Sequence, residues 1–119
     1  MEPRLRPAIG WILILLGLPS LAPAAPLQEA EEPAIEHLQV SLWPEYDRPD
    51  VLVMLDGEIG SEAGLPATLS LPIPAGVTPH AVAWRDASGL KVANYTLSTR
   101  NSRELVRMTL PQRGFHLEY

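Results

Sequence analysis

The 119-residue chain contains no cysteine. That excludes a disulfide framework, a thiolate metal site, a cysteine nucleophile and a lipid-modified N-terminal cysteine. Stability must come from apolar burial and backbone pairing. Lysine occurs once, at Lys91, and no basic stripe exists. The net charge is −5; Arg4 and Arg6 against Glu2 leave residues 1–24 at +1, so the remainder carries −6. An acidic surface of this kind argues against nucleic acid or an anionic lipid surface as the main partner. Helical periodicity is also missing. Beyond residue 24 no window sustains a 3.6-residue period for three turns, so no helix is expected there.

What is present begins with the N-terminus. Met1 to Arg6 carries two arginines, Ala8 to Leu18 (AIGWILILLGL) is an unbroken apolar run, and Leu21 to Pro26 reads LAPAAP. A basic stretch, an apolar stretch and small residues in that order form a secretory signal peptide. Cleavage is expected after Ala24. The alternative is a retained membrane anchor over residues 8–25, but a spanning helix wants about 20 apolar residues and Pro19 interrupts this one. The protein is therefore expected to be exported and extracytoplasmic, touching a membrane only through this segment.

Ala25 to Glu36 (APLQEAEEPAIE) is acidic with two prolines and reads as a disordered spacer. From His37 to Tyr119 short alternating apolar runs are broken by Pro, Gly and Asp. Seven strands are expected: 37–43, 51–58, 67–73, 80–85, 90–98, 104–110 and 114–119. Asp86 to Gly89, Thr99 to Ser102 and Pro111 to Gly114 are short polar connectors between them. Leu71 to Pro79 holds three prolines, which cannot donate to a ladder, and reads as an edge strand or a crossover between sheets. Seven short strands with tight turns predict an all-β domain, a single small antiparallel β-sandwich. The last strand runs to Tyr119, which fits either an edge-strand end or a truncated C-terminus.

The sequence offers few chemical groupings. His37, His80 and His116 fall in three separate predicted strands, with no HxH or HExxH spacing to present two imidazoles to one metal. His80 shares a strand face with Val82 and Trp84 and is expected to be packed there. No GxSxG is present, and no catalytic residue, cofactor or metal ligand is assigned. One loop stands out. Trp43 to Asp50 (WPEYDRPD) gathers Glu45, Asp47 and Asp50 beside Trp43 and Tyr46, with Asp56 and Glu58 following across Gly57. Close carboxylates suit a hard cation such as calcium, although Arg48 competes for them. Flat aromatics suit a sugar face. Trp43, Glu45, Tyr46, Asp47 and Asp50 are the expected ligand-binding residues.

The segments VSLWPEYDRPDVLVMLDGEI and LPATLSLPIPAGVTPHAVAWRDASG resemble those of uncharacterised exported bacterial proteins, whose domains are similar to small immunoglobulin-like or carboxypeptidase-regulatory-like β-sandwiches. The likeness runs from Val40 to Tyr119. It implies a fold and no catalytic residue, and members of that group run longer than this chain. The expected function is a non-catalytic module at the cell envelope that binds a protein or glycan partner at the cell surface, or serves a structural role there. A calcium-dependent or glycan-binding domain using residues 43–58, and a piece of a longer membrane-anchored surface protein, are the alternatives.

Overall fold

Period-two alternation, cut at Pro, Gly and Asp, yields eight strands in the computed structural model, which describes residues 23–25, 31–45 and 48–119. The expected signal segment, but for residues 23 and 24, lies outside the described residues, as do Tyr46 and Asp47. The strands are β1 (Ile35–Pro44), β2 (Val51–Ile59), β3 (Ala67–Pro74), β4 (Ala81–Asp86), β5 (Gly89–Val92), β6 (Tyr95–Arg100), β7 (Arg103–Leu110) and β8 (Gly114–Glu118). No helix occurs among the described residues.

Every pairing is antiparallel. A five-stranded sheet has the order β1-β2-β8-β4-β5, and a three-stranded sheet has the order β3-β7-β6. The two sheets share one core. Leu69, Leu71 and Ile73 of β3 and Val106, Met108 and Leu110 of β7 meet Ile59 of β2, Val82 of β4 and Phe115 and Leu117 of β8. Alternation makes this possible: each of these strands turns every second side chain inward.

The expected count of seven strands is corrected to eight among the described residues. The run expected as one strand over 90–98 is two strands in different sheets. The break is at Ala93 and Asn94, where the Ala93 N–H donates to Val82 O at 2.9 Å and Asn94 O accepts from Thr109 N–H at 3.0 Å. Ala93 is buried between the layers. Its small side chain lets the chain cross from one sheet to the other. Trp84 and Tyr95 therefore lie in different sheets. Trp84 packs on the core from β4, while Tyr95 lies opposite Met108 in the other sheet.

The connectors behave as their chemistry demands. The Asp86 carboxylate accepts from the Ser88 N–H at 2.7 Å and from its hydroxyl at 2.6 Å, and Gly89 takes φ 120° to close the turn. Asn101 and Ser102 both have positive φ, 52° and 61°, as the tight β6–β7 hairpin requires. β3 is an edge strand, and the chain after Pro74 crosses to β4 in the other sheet, so the proline-rich stretch serves both expected purposes. Part of the expected spacer is held against the body. The Ser70 N–H donates to Glu32 Oε2 at 2.9 Å, the Gly60 N–H donates to Ala34 O at 2.8 Å, and β1 opens at Ile35 rather than His37.

Gly57 answers to one close approach. A Cβ there would overlap the Phe115 ring and sit 2.6 Å from His37 O. The Phe115 ring lies over the β2 backbone, and only glycine leaves room for it.

Candidate functional site

The loop singled out by the sequence joins β1 to β2. The Glu45 N–H donates to Asp50 O at 3.0 Å, closing its base. Arg48 Nε lies 3.5 Å from Glu45 Oε2 in an exposed ion pair. Asp50 is exposed and contributes with Glu45 and Arg48 to a cavity of about 370 Å³ that also touches Pro74, Val77, His80 and Tyr119. Trp43, at the end of β1, is exposed. Asp56 and Glu58 do not join this loop; both lie along β2. Among the described residues, no three His, Asp or Glu side chains converge to hold a metal ion.

The densest polar grouping was not anticipated. On the face of the five-stranded sheet turned away from the core, Asp56 of β2 pairs in register with His116 of β8, and His116 with Ala83 of β4. His116 Nδ1 lies 2.8 Å from Asp56 Oδ1, and Nε2 lies 2.8 Å from Glu118 Oε1, each within hydrogen-bond distance. Both partners are acceptors when ionised, so the protonated ring can donate to each. Arg85 of β4 reaches the same Asp56 oxygen. The order is cation, anion, cation, anion across three strands.

Electrostatics follow from this order. Burial alone would lower the His116 pKa, since His116 is only 7% exposed. The hydrogen bonds to Asp56 and Glu118 and their charges outweigh burial and hold it above the ordinary imidazole value. For Asp56, desolvation pulls upward, but the bonds from His116 and Arg85 prevail and hold its carboxyl below the usual range. His80, expected to be packed beside Trp84, is instead exposed just before β4, where its N–H donates to Glu118 O at 2.8 Å. The sequence signal for the cluster was Asp56, His116 and Glu118 at alternate strand positions; what hid it was that β2 and β8 are distant in the chain yet adjacent in the sheet.

The remaining unusual feature is β1 itself. It is an edge strand of ten residues. Val53 exchanges backbone bonds with Tyr119 at 2.8 and 3.0 Å, and the Ile59 N–H donates to Arg113 O, so odd positions of β2 point to β8. Their register partners Leu42, Val40 and Leu38 therefore aim their backbone N–H and C=O at the free edge, while Gln39, Ser41 and Trp43 bond to β2. The same three residues share the inward face of the sheet, yet Leu38, Val40 and Leu42 are 50%, 53% and 62% exposed. The three-stranded sheet is too narrow to cover them.

Comparison with known proteins returns no matching family model, no matching curated protein and no matching solved structure.

Proposed function

We propose that the chain is an exported, non-catalytic β-sandwich module of the cell envelope that binds a protein partner by offering β1 as an added strand. The carrying observation is the edge of β1: three apolar residues, half exposed, whose backbone donors and acceptors face outward. Strand addition uses such an edge, with main-chain bonds giving affinity and alternate side chains giving specificity. The immunoglobulin-like likeness and the signal segment support the sandwich type and the export.

One observation favours a second reading. Trp43 is 65% exposed beside the Glu45–Asp50 loop, a flat apolar face suited to a sugar ring. A single comparison separates the two. Val40→Pro removes one outward N–H without touching the ladder to β2, so the fold should keep its melting temperature. On the strand-addition reading, that variant loses association with envelope preparations while Trp43→Ala keeps it. Retained association of a folded Val40→Pro protein, with loss for Trp43→Ala, transfers the reading to a glycan.

A further inference from the structure

The described sandwich has four sheet edges; β3 is closed, and β5 and β6 are shorter than β1. On β3, Ser70 directs its N–H outward to Glu32, so the even positions face the edge; two of them are Pro72 and Pro74, which have no N–H to offer. β5 is four residues long. β6 has six residues; its Tyr95 and Leu97 are apolar and 42% exposed, but they alternate with Thr96 and Ser98, and Thr99 and Arg100 close the strand at its hairpin. β1 is different. From His37 to Trp43 it carries no Lys, Arg, Asp, Glu or Pro, and natural edges left in that state pair with another strand. A register shift between Ile35 and His37 and the missing N–H of Pro44 bound the open stretch to those seven residues.

We propose that the occupant of this edge is a second copy of the chain, β1 pairing antiparallel with β1 about a two-fold axis at Val40. This rests on the strand-addition reading above and names its partner. The sequence HLQVSLW is self-complementary in that register. Val40 meets Val40 of the second copy, and Leu38 meets its Leu42. All are edge-directed positions, so each pair exchanges both backbone bonds. His37 meets Trp43 on the other face. Charge agrees with the register: Glu36 falls opposite Pro44 and Glu45 opposite Ile35, so no like charges are opposed. The axis is perpendicular to the sheet. The two five-stranded sheets become one of ten strands, and both rows of Leu38, Val40 and Leu42 are buried in the trough between the two three-stranded layers. Seven paired residues a side place the contact at the low end of interface sizes, below about 1,200 Å² in total, so a reversible dimer is expected.

The absence of cysteine gives a clean test. In the full chain recovered after export, Val40→Cys places two thiols on a hydrogen-bonded antiparallel pair, with Cα atoms about 5.5 Å apart and within disulfide reach. Mild oxidation should convert most of Val40→Cys to a dimer and leave Ser41→Cys and Val92→Cys monomeric, since neither meets its own copy in this register. Sedimentation should show the parent chain in monomer–dimer exchange. Val40→Lys, which opposes two like charges, should raise the dissociation constant roughly tenfold or more at an unchanged melting temperature. A folded Val40→Cys protein that stays monomeric, or cross-links no better than Val92→Cys, overturns the proposal. If the parent is monomeric while Val40→Pro still abolishes envelope association, the second copy is wrong and strand addition stands; if Val40→Pro changes neither, both fail.

Discussion

His116 is buried between two carboxylates from neighbouring strand positions, and both favour its protonated form. Its folded pKa is raised above 6.5, so the stability it contributes is fully present below pH 6.5 and is lost as pH rises through the raised value. Asp56 runs the other way: its folded value lies below 3.8, so its contribution is present above pH 3.8 and is lost as pH falls through the folded value. His116→Gln should therefore lower the melting temperature most at pH 6, by an amount equivalent to about 1–3 kcal/mol, and least in mild alkali. Melting of both proteins across that range checks it; an offset that does not shrink with rising pH removes the imidazolium from the account. Gly57 sets a second residue-scale limit. Gly57→Ala forces its methyl against Phe115 and the His37 carbonyl, and overpacking of this kind costs about 1–3 kcal/mol. Chemical denaturation of Gly57→Ala reads this directly. Residue identities alone showed neither constraint, because Asp56 meets His116, and Gly57 meets Phe115, only across a pairing of positions some 60 residues apart.

At the scale of elements, local chemistry was legible wherever neighbours in the chain are neighbours in space. The Asp86–Gly89 turn and the proline-marked edge of β3 follow from residue type alone. The Ala93–Asn94 crossover does not. Alternation continues through Leu90 to Ser98, so period-two reasoning runs the two strands together, and only the demand to cover the core from a second layer separates them. The loop expected to bind a ligand shows the same limit. Glu45 and Asp50 are near each other in sequence, but the base-closing bond and Arg48 decide what their oxygens face. The β6–β7 hairpin gives an element-scale prediction. Asn101 and Ser102 both occupy the left-handed region, which costs a non-glycine residue about 1–2 kcal/mol. Asparagine tolerates it better than serine. Ser102→Gly completes an Asn-Gly turn and should stabilise the domain by about 0.5–1 kcal/mol after the entropy of the added glycine is subtracted. A rise in denaturation midpoint with unchanged slope is the expected reading; a fall means the turn is shaped by contacts other than its own dihedrals.

At the scale of the whole molecule, five strands on one side and three on the other leave an imbalance of apolar surface. β1 bears it, and β1 is also where the outward backbone groups lie. The two facts share a cause: alternation couples the direction of a residue's side chain to the direction of its N–H, so Leu38, Val40 and Leu42 are open on both counts. Hydrogen exchange resolves the consequence amide by amide. In dilute protein, Gln39, Ser41 and Trp43 should be protected by their bonds to β2, while Leu38, Val40 and Leu42 exchange near the rate of an unstructured chain. At high concentration, a β1–β1 pair would slow the second set and leave the first almost unchanged. Slowing of all six together would instead report general stabilisation of the sheet. Slowing of Leu38, Val40 and Leu42 in dilute protein would mean that another part of the same chain already covers the edge. The alternation therefore turns a question about assembly into a pattern along six consecutive amides.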